Sequence, residues 1–200
     1  DAEAEQIAAE FISRLPELRR ILGTDVLATY KGDPAAMSQE EVIYCYPAIR
    51  AIVNYRVAHE LACMNVPVIP RMISEQAHRE TGIDIHPAAT IGESFTIDHG
   101  TGVVIGATAI LGRNVKLYQG VTLGAKSFDT DSEGNPVKGI PRHPIIGNDV
   151  IIYSNASILG RISIGDGAVI GGNIWVTENV APGEKLIQAK ANNILRLKQQ

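Results

Sequence analysis

Along the first third of the chain, apolar residues fall on one face of a helix. Ile7, Phe11, Ile12, Leu15, Leu18 and Leu22 recur at three- and four-residue spacings between Ala4 and Leu22. The segment from Val42 to Leu61 is similarly apolar on one side. Ser38 followed by Glu41 predicts a helix start, because each side chain can satisfy an orphan backbone amide of the first turn. Pro67 and Pro70 interrupt the pattern, and a further helix is predicted from about Arg71 to Thr81, where Gly82 ends it. Residues 1–82 therefore read as an α-helical domain.

From Asp84 the period changes. Counting in sixes from Ile85 gives Ile91, Ile97, Val103, Ala109, Val115 and Val121; the count resumes at Ile146 and runs through Ile152, Ile158, Ile164, Ile170 and Val176. A helix repeats at 3.6 residues and a strand at 2, so a strict six fits neither alone. It fits a triangular coil in which each short side takes one hexad. Ile-Gly pairs at 91, 105, 146, 164 and 170 suit the tight corners between sides. Three sides make 18 residues per coil, which stacks Ile85 under Val103 under Val121, and Ile146 under Ile164, into interior columns. The predicted fold class is α+β: a helical domain, then a left-handed parallel β-helix of hexapeptide repeats over 83–182, then a tail over 183–200. Residues 124–144 lack the period and are polar and turn-rich, which predicts an extruded loop. Because long loops of this kind are commonly functional, its end, Pro141-Arg142-His143-Pro144, is read as a site component.

Charge and composition narrow the function classes. A net charge of -4 with no run of Lys and Arg gives no footprint for nucleic acid or an anionic membrane. No apolar stretch reaches the roughly 18 to 20 residues that span a bilayer, and the opening Asp1-Ala2-Glu3-Ala4-Glu5 is the reverse of a secretory signal, so the expected location is the cytoplasm. Cys45 and Cys63 have no metal-ligand spacing and read as reduced, partly buried thiols without chemistry.

A β-helix has flat sides, so a ligand pocket has to come from the loop or from a groove between subunits. Polar residues that break the hexads mark it: Asp84-Ile85-His86-Pro87, Asp98-His99-Gly100-Thr101-Gly102, and Arg142-His143. His59 and His78 lie in the helical region and read as structural. His99 is accompanied by aspartates, and an imidazole with a carboxylate on its other nitrogen suits a general base near neutral pH. Asp84 lies 15 residues earlier, about one layer away around a corner. A zinc site from His86, His99 and His143 is the competing reading, disfavoured because no two of them share a short spacing within one coil. No metal ligand is therefore expected.

These residues resemble a known family. Asp84-Ile85-His86-Pro87-Ala88-Ala89, Asp98-His99-Gly100-Thr101-Gly102, Gln119-Gly120-Val121-Thr122-Leu123-Gly124 and Arg142-His143-Pro144 are similar, in order and nearly in spacing, to the bacterial and plant serine O-acetyltransferases. Asp33-Pro34-Ala35 and Tyr55-Arg56-x-x-His59 resemble that family's N-terminal pieces. The resemblance implies acetyl transfer from acetyl-CoA, a co-substrate rather than a resident cofactor, to the hydroxyl of L-serine in cysteine biosynthesis. It implies His99 as general base, Asp84 as its orienting carboxylate, Asp33 and Asp98 facing the serine ammonium, and Arg142 and His143 as further substrate contacts. It also implies a homotrimer or a dimer of trimers, and feedback inhibition by L-cysteine.

The chain departs from the family in several places. The loop before Arg142 is longer, Gly100 stands where alanine is usual, and the Gly-x-Pro-Ala turn after Pro182 is missing, so no coenzyme-binding residues are assigned. The chain ends in Leu197-Lys198-Gln199-Gln200 instead of the isoleucine that docks into O-acetylserine sulfhydrylase, so either that partner is not bound or the docking tail is missing here. Two other readings stay open: O-acetylation of a sugar or antibiotic hydroxyl on the same scaffold, and a β-helix that is a non-catalytic scaffold or a zinc hydratase.

Overall fold

The computed structural model describes residues 2–189. Residues 190–200 of the predicted tail, and with them the expectation about Leu197–Gln200 and the sulfhydrylase, lie outside the described residues.

Four helices come first. α1 spans Ala2–Gly32, ten residues beyond the predicted end, and buries Asp25 and Thr29 in the added part. The single helix expected over 42–61 is two, α2 (Gln39–Cys45) and α3 (Pro47–Cys63). Pro47 causes the break: it occupies the first turn of α3, and Tyr46 before it is held extended at φ -85°, ψ 116°. Ser38 caps α2 by accepting the Glu41 N–H at 3.2 Å, whereas the Glu41 carboxylate reaches back to the N–H of Met37 rather than of Ser38. α4 covers Ile69–Thr81 and stops at the left-handed Gly82. Cys45 and Cys63 are free thiols and exposed, not partly buried as expected, since each ends its helix at the surface.

From Asp84 the chain winds into a left-handed parallel β-helix of about five turns. Its strands, two or three residues each, build three parallel sheets. The first stacks Asp84–Ile85, Val104–Ile105, Thr122–Gly124, Ser157–Leu159 and Trp175–Val176. The second stacks Thr90–Ile91, Ile110–Leu111, Ile145–Ile146 and Ser163–Ile164; the third runs from Thr96–Asp98 through Lys116–Tyr118, Ile151–Ile152 and Val169–Ile170 to Lys185–Leu186.

The register corrects the predicted stacking at one point. Ile85 lies opposite Ile105, twenty residues on, and Ile105 opposite Leu123, eighteen on, so Val103 and Val121 are not in the Ile85 column. Ile146 does stack with Ile164. The six-count passed over this shift because each side buries two residues, at i and i+2. Val103 and Ile105, Ala109 and Leu111, Val115 and Leu117, Val121 and Leu123 are all buried, so two extra residues move the count from one inward row to the other without a miss. Each fully buried Ile or Leu in these columns stabilises the fold by about 1.5–3 kcal/mol relative to exposure.

The helices cover the open end of the first coil. Tyr55 Oη donates to Ala89 O at 2.6 Å, the His59 ring Nδ1 bonds Pro87 O at 2.8 Å, and Arg56 donates to Ile91 O and Gly92 O, each at 2.6 Å. Arg56 also grips Asp25 of α1 through two bonds of 3.1 Å, and Asp25 accepts the Phe95 N–H at 2.8 Å. Carbonyls that a bare end of the β-helix would leave unpaired are thus satisfied. Ala51, Ile52 and Tyr55 join the same buried cluster as the coils, and Asp33 at the end of α1 is thereby brought against the side of the solenoid. No helix among the described residues is long and apolar enough to cross a membrane.

Candidate active site

The two extra residues of the first coil are at the corner that carries His99. Asp98 pairs with Tyr118, and the register resumes where Gly120 donates to Thr101 O at 3.0 Å. In between, His99 at φ 58° and Gly100 at φ 96° take left-handed backbone. For a non-glycine residue that conformation costs about 1–2 kcal/mol. The fold holds His99 in it, and the imidazole stands off the wall with its side chain 76% exposed. Glycine at 100 has two reasons, the positive φ and a Cβ that would come within 2.5 Å of Ile83 Cδ1.

His99 Nε2 lies 3.7 Å from Asp98 Oδ1, and Asp98 Oδ2 lies 3.4 Å from Lys116 Nζ. Asp33 adjoins them. Its Oδ1 accepts the Ala35 N–H at 2.8 Å and its Oδ2 accepts the Tyr46 hydroxyl at 2.7 Å. The Tyr46 bond, helped by the Ala35 amide, holds the Asp33 carboxyl below the usual carboxylate range, and the same bond pushes the Tyr46 phenol up to about 12. Asp33, Tyr46, Asp98, His99 and Tyr118 line an open cleft of about 720 Å³, with Cys45 at its rim.

Arg142 and His143 lie elsewhere, at the corner between the first and second sheets, and Asp84 stands on the first strand, opposite Val104 and near His86. His143 is buried, its ring stacked where Gly106 has no side chain; a Cβ there would lie 2.0 Å from the ring. Thr108 organises it. The Thr108 N–H donates to His143 Nδ1 at 3.1 Å, and Thr108 Oγ1 lies 2.8 Å from the same nitrogen while accepting the N–H groups of Arg142 and His143. Nδ1 is therefore the acceptor and Nε2 carries the hydrogen. Burial, reinforced by the charges of Arg142, His86 and Arg161, pushes the His143 imidazole down to about 4, so it is neutral at pH 7. His86 is also held below its ordinary range, by burial and then by Arg71. Among the described residues Arg142 has no ion-pair partner: its Nε is buried without a partner and its guanidinium lies 5.6 Å from the centre of the Phe128 ring, which the extruded loop supplies.

The six candidate residues thus divide, Asp33, Asp98 and His99 in one set and Arg142 and His143 in another, with Asp84 on the first strand near His86. Among the described residues no hydrogen bond or ion pair joins the sets, and the carboxylate beside His99 is Asp98, not Asp84. The corners are separated by a side of the prism, roughly 15–20 Å at about 3.3 Å per residue. His99 is likewise apart from His86 and His143, and among the described residues no three His, Cys, Asp or Glu are grouped to hold a metal. His59 is structural through Pro87, and His78 lies 3.7 Å from Glu75 at the surface. Tyr46, Thr108 and Lys116 were not singled out in the sequence. For Tyr46 the signal was present in Pro47, which breaks the helix and turns the tyrosine toward Asp33.

No family model matches the chain. It is 52% identical over 187 residues to the plasmid serine acetyltransferase of Synechococcus elongatus, covering 94% of this chain and 59% of that protein. It therefore spans about three fifths of that relative's length. It is 42% identical over 164 residues to a serine acetyltransferase of Helicobacter pylori, covering 82% of this chain and 91% of that one. The crystal structure of Entamoeba histolytica serine acetyltransferase 1 in complex with L-cysteine superposes with a TM-score of 0.88 at 41% identity, over 92% of this chain and 68% of that one.

Proposed function

Because the chain belongs to the serine acetyltransferase family, we propose that it transfers the acetyl group of acetyl-CoA to the hydroxyl of L-serine, at a site completed by a second copy of itself. The products are O-acetyl-L-serine and CoA, which places the reaction in cysteine biosynthesis. The observation that carries this reading is the division of the site residues. One corner presents a base with two carboxylates, and the other presents an unpaired guanidinium beside a neutral N–H donor. Serine as a zwitterion needs both, an anion for its ammonium and a planar cation for its carboxylate. A second β-helix packed alongside, as in a trimer or a dimer of trimers joined through the helical domain, brings Asp84, Arg142 and His143 of one copy to His99 of the next.

In the reaction, His99 takes the proton from the serine hydroxyl as the oxygen bonds to the thioester carbonyl carbon. Collapse of the tetrahedral adduct breaks the carbon–sulfur bond, and the imidazolium returns the proton to the departing thiolate. Holding both substrates in one cleft supplies the proximity contribution, and neither cysteine is needed as a nucleophile. Asp84 of the neighbouring copy orients the imidazole. L-Cysteine carries the same ammonium and carboxylate, and the Entamoeba relative is known with it bound, so feedback inhibition by competition at this site is expected. The test is release of free CoA from acetyl-CoA with a panel of amino acids and sugars. L-Serine should be the preferred acceptor, and preference for a neutral sugar would replace this reading with the sugar acetyltransferase.

A further inference from the structure

Lys116 lies outside the motifs, at an outward position between buried Val115 and Leu117, where a lysine would ordinarily face solvent. Here it does not. Its side chain is only 19% exposed, and its ammonium has three acceptors: Gly32 O at 2.8 Å, Asp98 Oδ2 at 3.4 Å, and the face of Tyr118, whose ring centre is 4.8 Å away. An ammonium has three hydrogens, so none is left for a substrate. Gly32 is the last residue of α1, and its carbonyl is one of the four that a helix end leaves unpaired, at the pole that favours a cation. Asp33 follows directly.

We propose that Lys116 is a positioning residue that fixes the spacing of Asp33 and Asp98 by tying the end of α1 to the Asp98 carboxylate, and so sets the anionic half of the acceptor site. This rests on the serine reading above. The geometry divides the work between the two oxygens of Asp98: Oδ2 is held by Lys116 and Oδ1 faces His99. Asp33 is braced from its own far side by Tyr46, and a small space of about 10 Å³ is lined by Thr29, Asp33, Tyr46, Asp98 and Lys116. Lys116 also balances charge. Two carboxylates facing one ammonium would leave a net negative site; with one of them already paired to a built-in cation, the pair admits a single ammonium and closes neutral.

The coil register explains why the contact is not legible by counting. Eighteen residues on from Asp98 is Lys116, but the two extra residues at the His99 corner put Tyr118 opposite Asp98 and Lys116 opposite Thr96. Lysine reaches Asp98 diagonally along its flexible stem.

The experiment compares wild type with Lys116→Met, which keeps length without charge, and Lys116→Gln, which keeps a donor for Gly32. The acceptors are L-serine and 3-hydroxypropionate, which lacks the ammonium. In both variants the KM for L-serine should rise about tenfold or more, kcat should change less than about threefold, and the KM for acetyl-CoA should stay within about twofold. Preference for L-serine over 3-hydroxypropionate should fall by a similar factor, which a merely structural role would not produce. Wild-type turnover of L-serine with unchanged KM in the folded variants overturns the role of Lys116 and leaves acetyl transfer standing. Variants that fail to fold, or that lose affinity for both substrates equally, also overturn it. Wild type without turnover of L-serine overturns both.

Discussion

The Tyr46 hydroxyl, at the break that Pro47 makes between α2 and α3, donates to Asp33 Oδ2 at 2.7 Å, and this bond joins the helical domain's own fold to the cleft beside His99. Removing it frees one carboxylate oxygen without changing the ring. Tyr46→Phe should lower kcat/KM for L-serine about three- to tenfold, the net worth of about one ordinary hydrogen bond, with little change in the KM for acetyl-CoA. The Asp33 carboxyl should titrate closer to its ordinary value, readable by NMR of the labelled side chain. An Asp33 titration that does not move would detach the two residues.

His99→Ala should lower kcat by about two to four orders of magnitude, the usual contribution of a positioned general base, while the fold persists. Asp84→Asn should do less harm. The backbone adds a sharper expectation. At φ 58° glycine is free of the strain that alanine retains, so His99→Gly should melt above His99→Ala although both are inactive. Equal melting temperatures would mean that the corner carries no strain at this residue.

The burial of neutral His143 makes stability depend on pH. Its imidazole is pushed down to about 4 in the fold, against about 6.5 in an unfolded chain, so between these values the unfolded state binds more protons. Its contribution to stability is therefore fully present above about pH 6.5 and is lost as pH falls toward 4. Urea unfolding midpoints should decline across that window in wild type and decline less in His143→Gln. Parallel declines would assign the acid sensitivity to other groups.

Arg56 and Asp25 test how the helices are fastened. The pair is buried, and burial pushes the Asp25 carboxyl up against the opposing pull of Arg56. Arg56→Met leaves a carboxylate without its partner and strips the Ile91 and Gly92 carbonyls, so it should destabilise by about 3–5 kcal/mol. Combining it with Asp25→Asn should recover part of that loss in equilibrium unfolding. Strict additivity would mean that the pair is not coupled.

Much of this was readable in the sequence. Six-residue spacing gave the solenoid because its inward rows must be apolar in every coil, and Gly82, Pro70 and Ser38 marked helix ends through backbone constraints that hold anywhere. The stacking of Ile85 was misread because two inward rows lie two residues apart, and an insertion of two at His99 exchanges them. The single helix over 42–61 was misread because apolar spacing outweighed Pro47. Lys116 and Thr108 were illegible for a different reason: their roles come from where α1 ends and where a loop re-enters, which no local pattern records. Asp84 lies on the first strand opposite Val104 and is not the carboxylate beside His99, which left the shared site as an expectation of the fold rather than of the count.

That shared site can be measured by mixing two dead variants. His99→Ala keeps Arg142 and Arg142→Ala keeps His99, so a site between neighbouring copies is intact wherever the second variant supplies the base and the first supplies the guanidinium. In equimolar cyclic assemblies refolded together, about one quarter of sites meet that condition. The account predicts that the mixture forms O-acetyl-L-serine from acetyl-CoA and L-serine at about a quarter of the wild-type rate, far above either variant alone. A mixture no more active than the mean of its two parents would contradict it.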